Sequence, residues 1–206
     1  KNALISVSDK SELSKILKIL KKYNVNIISS GGTFSIIKKL GYKCTEVSKY
    51  TGFSEMLDGR VKTLHPKIHA GILHDRSNTK HAKEMNSQKF PSLDLIIVNF
   101  YPFQKIVTDS KKSNQIIENI DIGGPTLVRS AAKNFKNVSI ITNINDYSKL
   151  INEIEKNNGK TSMKFRELMS SKAFGLTAYY DAMIANWFNK NLKIKFPERK
   201  TIFGRK

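Results

Sequence analysis

The first 47 residues alternate between two periods, and this alternation constrains the fold more than any other feature. Ala3-Leu4-Ile5-Ser6-Val7 is an apolar run of strand length. Residues 11–23 then set Leu13, Ile16, Leu17 and Leu20 on a helical stripe, with lysines opposite. Residues 25–28 read as a second buried strand, 34–40 as a short helix stopped by Gly41, and 43–47 as a third strand. Strand–helix–strand–helix–strand in so short a span calls for parallel strands joined by right-handed crossovers. The nearly all-apolar residues 93–98 add a central parallel strand. Further on, Gly124-Pro125 opens a helix through Phe135, and residues 138–142 form a strand. Residues 145–157 form a helix striped by Tyr147, Leu150, Ile151 and Ile154. A long helix follows over 163–189, expected to break or bend near Gly175. The prediction is one α/β domain over residues 1–190, a mainly parallel sheet flanked by helices on both faces. Residues 191–206 lack periodicity and read as a linker, or as the start of something truncated. Residues 51–73, rich in special residues but weak in periodicity, are expected to be a functional loop.

Charge does not point to nucleic acid. The chain carries 36 basic against 17 acidic residues, a net +19. Thirty of the 36 are Lys and six are Arg, whereas base readout leans on Arg. Lys, Asn and Ile, all with AT-rich codons, supply 72 of 206 residues, so the excess reads as genome-wide bias. It is also spread evenly: +8 over residues 1–69, +4 over 70–150 and +7 over 151–206. No apolar stretch approaches a membrane span. The first strand runs straight into polar Ser8-Asp9-Lys10, unlike a secretory signal. The lone Cys44 excludes an intramolecular disulfide and is expected to be a buried structural thiol, fitting a reducing cytoplasm. Opening on Lys1 rather than Met, the chain is expected to lack at least its first residue.

In open parallel sheets ligands bind beyond the carboxyl ends of the strands. Ser6, Ser8, Asp9 and Lys10 close the first strand and suit an oxyanion such as phosphate; the plain alternative is a helix N-cap at Ser8 or Asp9. Ser29-Ser30-Gly31-Gly32-Thr33 closes the second strand, where paired glycines admit close backbone approach to a ligand; an ordinary strand-to-helix turn explains it equally. Arg60, Lys62 and Thr63 offer donors within the 51–73 segment. Asn99 and Tyr101 end the central strand, and Asp121 precedes a helix carrying Arg129 and Lys133 one turn apart. His65, His69, His74 and His81 raise a zinc hypothesis, but Pro66 separates the closest pair and no Cys or carboxylate completes a set. Neither a Walker A loop nor a dinucleotide fingerprint occurs.

The strings SVSDK at 6–10, SSGGT at 29–33, YTGFSEMLDGRVKTLHPKIHAGIL at 50–73, NFYPF at 99–103 and DIGGPTLVRSAAKN at 121–134 together carry a resemblance. The chain resembles the IMP cyclohydrolase domain that forms the N-terminal part of the bifunctional AICAR transformylase/IMP cyclohydrolase family. The resemblance implies a methylglyoxal synthase-like fold and closure of 5-formamidoimidazole-4-carboxamide ribonucleotide to IMP, with no cofactor and no metal. It implies Lys133 as the proton-transferring residue with Asp121 beside it, Lys62 polarising the formyl oxygen, and Tyr101 holding or protonating the amide. Ser6, Ser8, Asp9, Lys10, Ser30, Gly31, Gly32 and Thr33 would hold the phosphate. Arg60, Val61, Lys62, Thr63, Val98, Asn99, Asp121 and Ile122 would line the base and reacting groups. Departures are mild: Lys49 for Asp, Ser54 for Pro, Ala70 for Gly and Ser130 for Ala. The resemblance also implies a homodimer and a C-terminal transformylase domain absent from this chain; the helix at 163–189 is a candidate interface, though its periodicity equally supports core packing.

Three rivals are distinguishable. A regulatory nucleotide-binding module of the same fold needs the phosphate loops but not the set Lys62, Tyr101, Asp121 and Lys133. Methylglyoxal synthase should lack the DGRVKTLHP block. A nucleic-acid binder needs clustered charge and aromatic platforms, which the sequence does not offer.

Overall fold

A computed structural model of the chain describes residues 1–109, 112–195, 197–199 and 201. Strand β1 (Asn2–Val7) leads through helix α1 (Leu13–Lys22) to β2 (Asn26–Ser29), and helix α2 (Gly31–Lys39) returns to the two-residue β3 (Thr45–Glu46). The chain then crosses back through α3 (Val47–Thr51), a 3-10 turn (Leu57–Gly59), α4 (Pro66–Leu73) and α5 (Thr79–Ser87) to β4 (Leu95–Asn99). After it come α6 (Phe103–Asp109), α7 (Ser113–Glu118), α8 (Gly123–Lys133), β5 (Ser139–Ile141), α9 (Tyr147–Lys156) and α10 (Met163–Asn191). Every strand pairing is parallel, in the order β3-β2-β1-β4-β5. Ala3, Leu4 and Ile5 are fully buried, as are Ile96 and Ile97 to within 1%. Consecutive buried residues mean that both faces of the central strands are covered, the arrangement that βαβ crossovers produce.

Four local expectations change. The segment 51–73 is only in part a loop: residues 66–73 form helix α4. Pro66 occupies its first turn, where a missing N–H costs nothing, and His65 Nδ1 accepts Lys67 N at 3.1 Å. Gly71 of α4 lies so close to the start of β4 that a Cβ there would sit 2.8 Å from the Pro91 carbonyl oxygen. Second, α2 begins at Gly31 rather than Phe34, so the paired glycines form the first helical turn and not a loop before it. Third, α10 runs unbroken through Gly175; its start is capped by Ser162 Oγ, which accepts Phe165 N at 3.2 Å. Fourth, Cys44 is half-buried rather than fully enclosed, packed against the main core, with burial pushing its thiol up to about 11.

A second, smaller cluster joins Phe103 and Ile116 to Tyr180 of α10, with Phe100, Ile120 and Trp187 around them. It anchors the α6–α7 segment beneath the carboxyl end of β4. Near the chain end, Asn186 Nδ2 donates to Thr201 Oγ1 at 2.7 Å; Phe203-Gly204-Arg205-Lys206 lie outside the described residues, as does part of the expected linker.

Candidate active site

The chain lays β1, β2 and β3 in one direction and then places β4 on the opposite side of β1. Such a reversal leaves a crevice at the carboxyl ends of β1 and β4, where flanking loops diverge. Asn99 spans it. Its Oδ1 accepts Ser8 N at 2.6 Å and Asp9 N at 3.0 Å, and its Nδ2 donates to Asp9 O at 3.0 Å. Above this brace opens a cavity of about 700 Å³.

One side of the cavity is built for an anion. Ser30 caps α2 in extended conformation without a side-chain bond into the helix, and the first helical turn holds Gly31, Gly32 and Thr33. Backbone N–H groups at a helix start have no intrahelical acceptor and concentrate positive potential. Lys10 and Lys62 flank that turn. A Cβ on Gly32 would lie 3.6 Å from Lys10 Cε, and one on Gly31 would lie 3.4 Å from Lys62 Nζ. Gly31 has φ +53°, a left-handed conformation that favours glycine. The Thr33 hydroxyl is committed to the fold: it donates to Val7 O at 3.0 Å and accepts Val7 N at 3.1 Å.

The other side mixes charge. Lys62 Nζ is 2.5 Å from Glu55 Oε2, and the Arg60 guanidinium pairs with Glu118 of α7. Asp121 precedes α8, and its Oδ1 accepts Gly124 N at 2.8 Å. Burial pushes its carboxyl above the usual carboxylate range, against the pull of the Gly124 and Gly123 amides. Two glycines are needed there for space: a Cβ on Gly124 would stand 2.2 Å from Asp121 Oδ2, and one on Gly123 would stand 2.9 Å from Thr63 Oγ1. Tyr101, 56% exposed, stands at the mouth.

Of the residues singled out from the sequence, Ser6, Ser8, Lys10, Ser30, Gly31, Gly32, Thr33, Arg60, Lys62, Thr63, Val98, Asn99, Tyr101, Asp121 and Ile122 line this one cavity. Three do not. Asp9 turns to its own backbone, where its Oδ1 accepts Ser11 N at 2.8 Å. Val61 pairs with Met56 in an isolated antiparallel bridge. Lys133 ends α8, ten residues beyond Gly123, which at 1.5 Å per residue is about 15 Å along the helix. It is exposed and outside the cavity, while Arg129, one turn earlier, stacks 5.7 Å over Phe174. Sequence reasoning missed Glu55 and Glu118. Glu55 sits seven residues from Lys62 within one unpatterned segment, and Glu118 comes from another element, so neither partnership has a spacing to betray it. The four histidines take separate hydrogen-bonding roles: His65 caps α4, and His69 Nδ1 lies 3.1 Å from Ser130 Oγ. His74 Nδ1 donates to Ala70 O at 3.0 Å, and His81 Nδ1 accepts Asp75 N at 3.1 Å.

Comparison with known proteins identifies the family of the fold. A family model described as MGS-like domain matches residues 12–126, and one described as AICARFT/IMPCHase bienzyme matches residues 131–206. The Bifunctional purine biosynthesis protein PurH of Leptospira biflexa is 48% identical over 98% of this chain and 39% of its own length. Those of Bradyrhizobium diazoefficiens and Oceanobacillus iheyensis are 44% and 47% identical, each over 98% of this chain and 38% and 39% of their own lengths. The chain thus spans about two fifths of the curated relatives it matches. A solved structure described as Crystal structure of ForH superposes with a TM-score of 0.81 at 27% identity, covering 91% of this chain and 98% of that one. Matched over more than half its length by the first of these models, the chain belongs to the MGS-like domain family.

Proposed function

We propose that this cavity binds 5-formamidoimidazole-4-carboxamide ribonucleotide and closes it to IMP. The observation that carries the reading is the polarity of the cavity. A helix start with Lys10 beside it shares the cavity with a partly buried carboxylate, Asp121, so a nucleotide monophosphate is oriented with its phosphate at α2 and its base toward Asp121 and Lys62.

Ring closure needs few groups once the nucleotide is so held. The carboxamide nitrogen attacks the formyl carbon, its N–C bond forming as the C=O electrons move to oxygen. Asp121 takes the proton that this nitrogen gives up; a carboxyl raised by burial suits the exchange. Lys62 stabilises the developing oxyanion, for which it must leave Glu55. The oxyanion takes a proton from the Lys62 ammonium, and the resulting hydroxyl leaves as water with the proton that Asp121 holds, while the formamido nitrogen returns its proton to Lys62 as the C=N bond forms. Tyr101 holds the amide at the mouth. Lys133, at the far end of α8, supports the helix through its C-terminal charge rather than touching substrate.

The relatives are named bifunctional, and the reading includes a transformylase domain following this one, a homodimeric assembly and a cytoplasmic setting that suits the free thiol of Cys44. Formyl transfer is not expected from this chain alone. The test is to add the formamido nucleotide to the purified chain and follow the absorbance of IMP. Turnover supports the reading; a flat trace with clean nucleotide binding favours the regulatory module instead.

A further inference from the structure

Beneath the amino ends of β1, β4 and β5, at the opposite edge of the sheet, lies a second cavity of about 320 Å³. Leu95 and Asn99 mark the two edges, four residues and about 13 Å apart along β4. The floor is apolar, built by Ile19 and Leu20 of α1, Leu95 of β4, and Leu150 and Ile154 of α9. The mouth is cationic. Lys1, Arg76, Lys136, Lys160 and Arg166 line it, and among the described residues Asp94 is the one carboxylate in the lining.

That carboxylate is fully engaged. Its Oδ1 accepts from Arg76 Nη1 at 2.9 Å and its Oδ2 from Asn2 N at 2.7 Å. Arg166 has neutral partners: it donates to the carbonyl oxygens of Phe135 at 2.7 Å, Lys136 at 2.9 Å and Thr161. Carbonyl oxygens satisfy its N–H groups but do not cancel its charge. Desolvation and the neighbouring Arg76 charge hold its guanidinium below the ordinary arginine range, with the Glu153 carboxylate pulling the other way. Positive charge beside an apolar, partly desolvated space is attracted to an anion more strongly than the same charge in open water.

We propose that this cavity is a second ligand site, taking a small amphipathic monoanion. Its carboxylate would sit among Lys136, Lys160 and Arg166, and a short alkyl or aryl body would lie on the floor formed by Ile19, Leu20, Leu95, Leu150 and Ile154. The volume lies in the range of small-molecule sites. The polar groups of the lining are already paired, Ser139 Oγ with Thr161 Oγ1 and Asn137 Nδ2 with Asn134 Oδ1, so the floor favours an apolar body over a nucleotide's sugar and base, and the site differs in ligand class from the cavity at the other edge.

Octanoate is the probe, titrated into the isotope-labelled 206-residue chain and followed by the backbone amide resonances. Saturable shifts are expected at Ser139, Gly159 and Thr161, with Gly31, Gly32 and Thr33 unmoved. Octan-1-ol is expected to bind about tenfold more weakly, since it keeps the body and lacks the charge. Replacing the exposed Lys136 and Lys160 together by Gln is expected to weaken octanoate by about threefold or more while leaving the fold intact. Ile154→Phe, which fills the floor, should remove binding; should that variant not fold, the lysine pair still decides. Absent saturation, equal affinity for octanol, or shifts scattered over surface lysines would each overturn the proposal.

Discussion

The Tyr180 hydroxyl of α10 accepts the backbone N–H of Asp121 at 2.8 Å. Asp121 is thereby held from behind by one helix while its carboxylate caps another, and the aromatic cluster of Phe100, Phe103 and Trp187 fixes the tyrosine ring. Tyr180→Phe leaves that N–H without a partner in a partly buried place, at a cost of about 1–3 kcal/mol measurable by denaturant titration. Ring closure is expected to fall more than IMP affinity, because the nucleotide's phosphate is held elsewhere.

The raised carboxyl of Asp121 has a signed consequence for stability. The folded state binds that proton more tightly than the unfolded chain, so stability falls as pH rises from the unfolded value, 3.8, through the folded one. Asp121→Asn keeps an oxygen to cap Gly124 and removes the partly buried charge. The variant should be more stable than the parent at pH 7, with the difference fading in acid, and should lose ring closure. Equal stability at both ends of a pH series of thermal melts would contradict the burial argument.

Gly31→Ala tests the anion end. A side chain at φ +53° costs about 1–2 kcal/mol, and its Cβ meets Lys62 Nζ at 3.4 Å. Both stability and nucleotide affinity are expected to drop, read by thermal melting and calorimetric titration with IMP.

Glu55→Gln releases Lys62 from its partner. The pair is partly exposed, so its loss should change stability by less than about 1 kcal/mol. Affinity for IMP should instead rise, by about threefold at low salt, and the gain should shrink as ionic strength increases. An affinity that falls would mean that Glu55 orients Lys62 for the nucleotide rather than competing with it.

Lys10→Ala and Lys133→Ala separate the two ends of the argument. Removing Lys10, beside Gly32, should weaken IMP binding about tenfold, or 1.4 kcal/mol. Removing Lys133, which the cavity does not contain, should leave IMP affinity within about twofold. Titration calorimetry on the two variants side by side makes the comparison.

Much of the fold was legible because short-range rules cover it. Runs such as Leu95-Ile96-Ile97-Val98 and stripes such as Leu13, Ile16, Leu17 and Leu20 announce buried strands and an amphipathic helix without reference to the rest of the chain. The short helices α3, α5, α6 and α7 were not legible, since five to nine residues carry too little periodicity to separate from a loop. Helix α4 was hidden among the special residues of its own motif, although Pro66 after a capping His65 was the available sign. Gly175 misled in the other direction: a single glycine lowers helix propensity, but the packing of Ala173, Thr177 and Tyr180 around it carries α10 straight through.

What the sequence by itself determined is therefore the parallel α/β architecture, the glycine-rich turn at Ser30 to Thr33, and most of the residues that gather around it. Hydrophobic period and glycine placement act over a few residues, so they can be read one segment at a time. Only the tertiary structure decided which charges meet. Glu118 reaches Arg60 from 58 residues away, Tyr180 reaches Asp121 from 59, and the rise of α8 carries Lys133 away from a cavity that its sequence neighbours help to build. The cations at the mouth of the second cavity are drawn together in the same way, from the chain start, from the segments after α4, α8 and α9 and from α10 itself. Contacts of that kind depend on where the sheet order and helix lengths bring distant segments, and no local pattern in the chain records them.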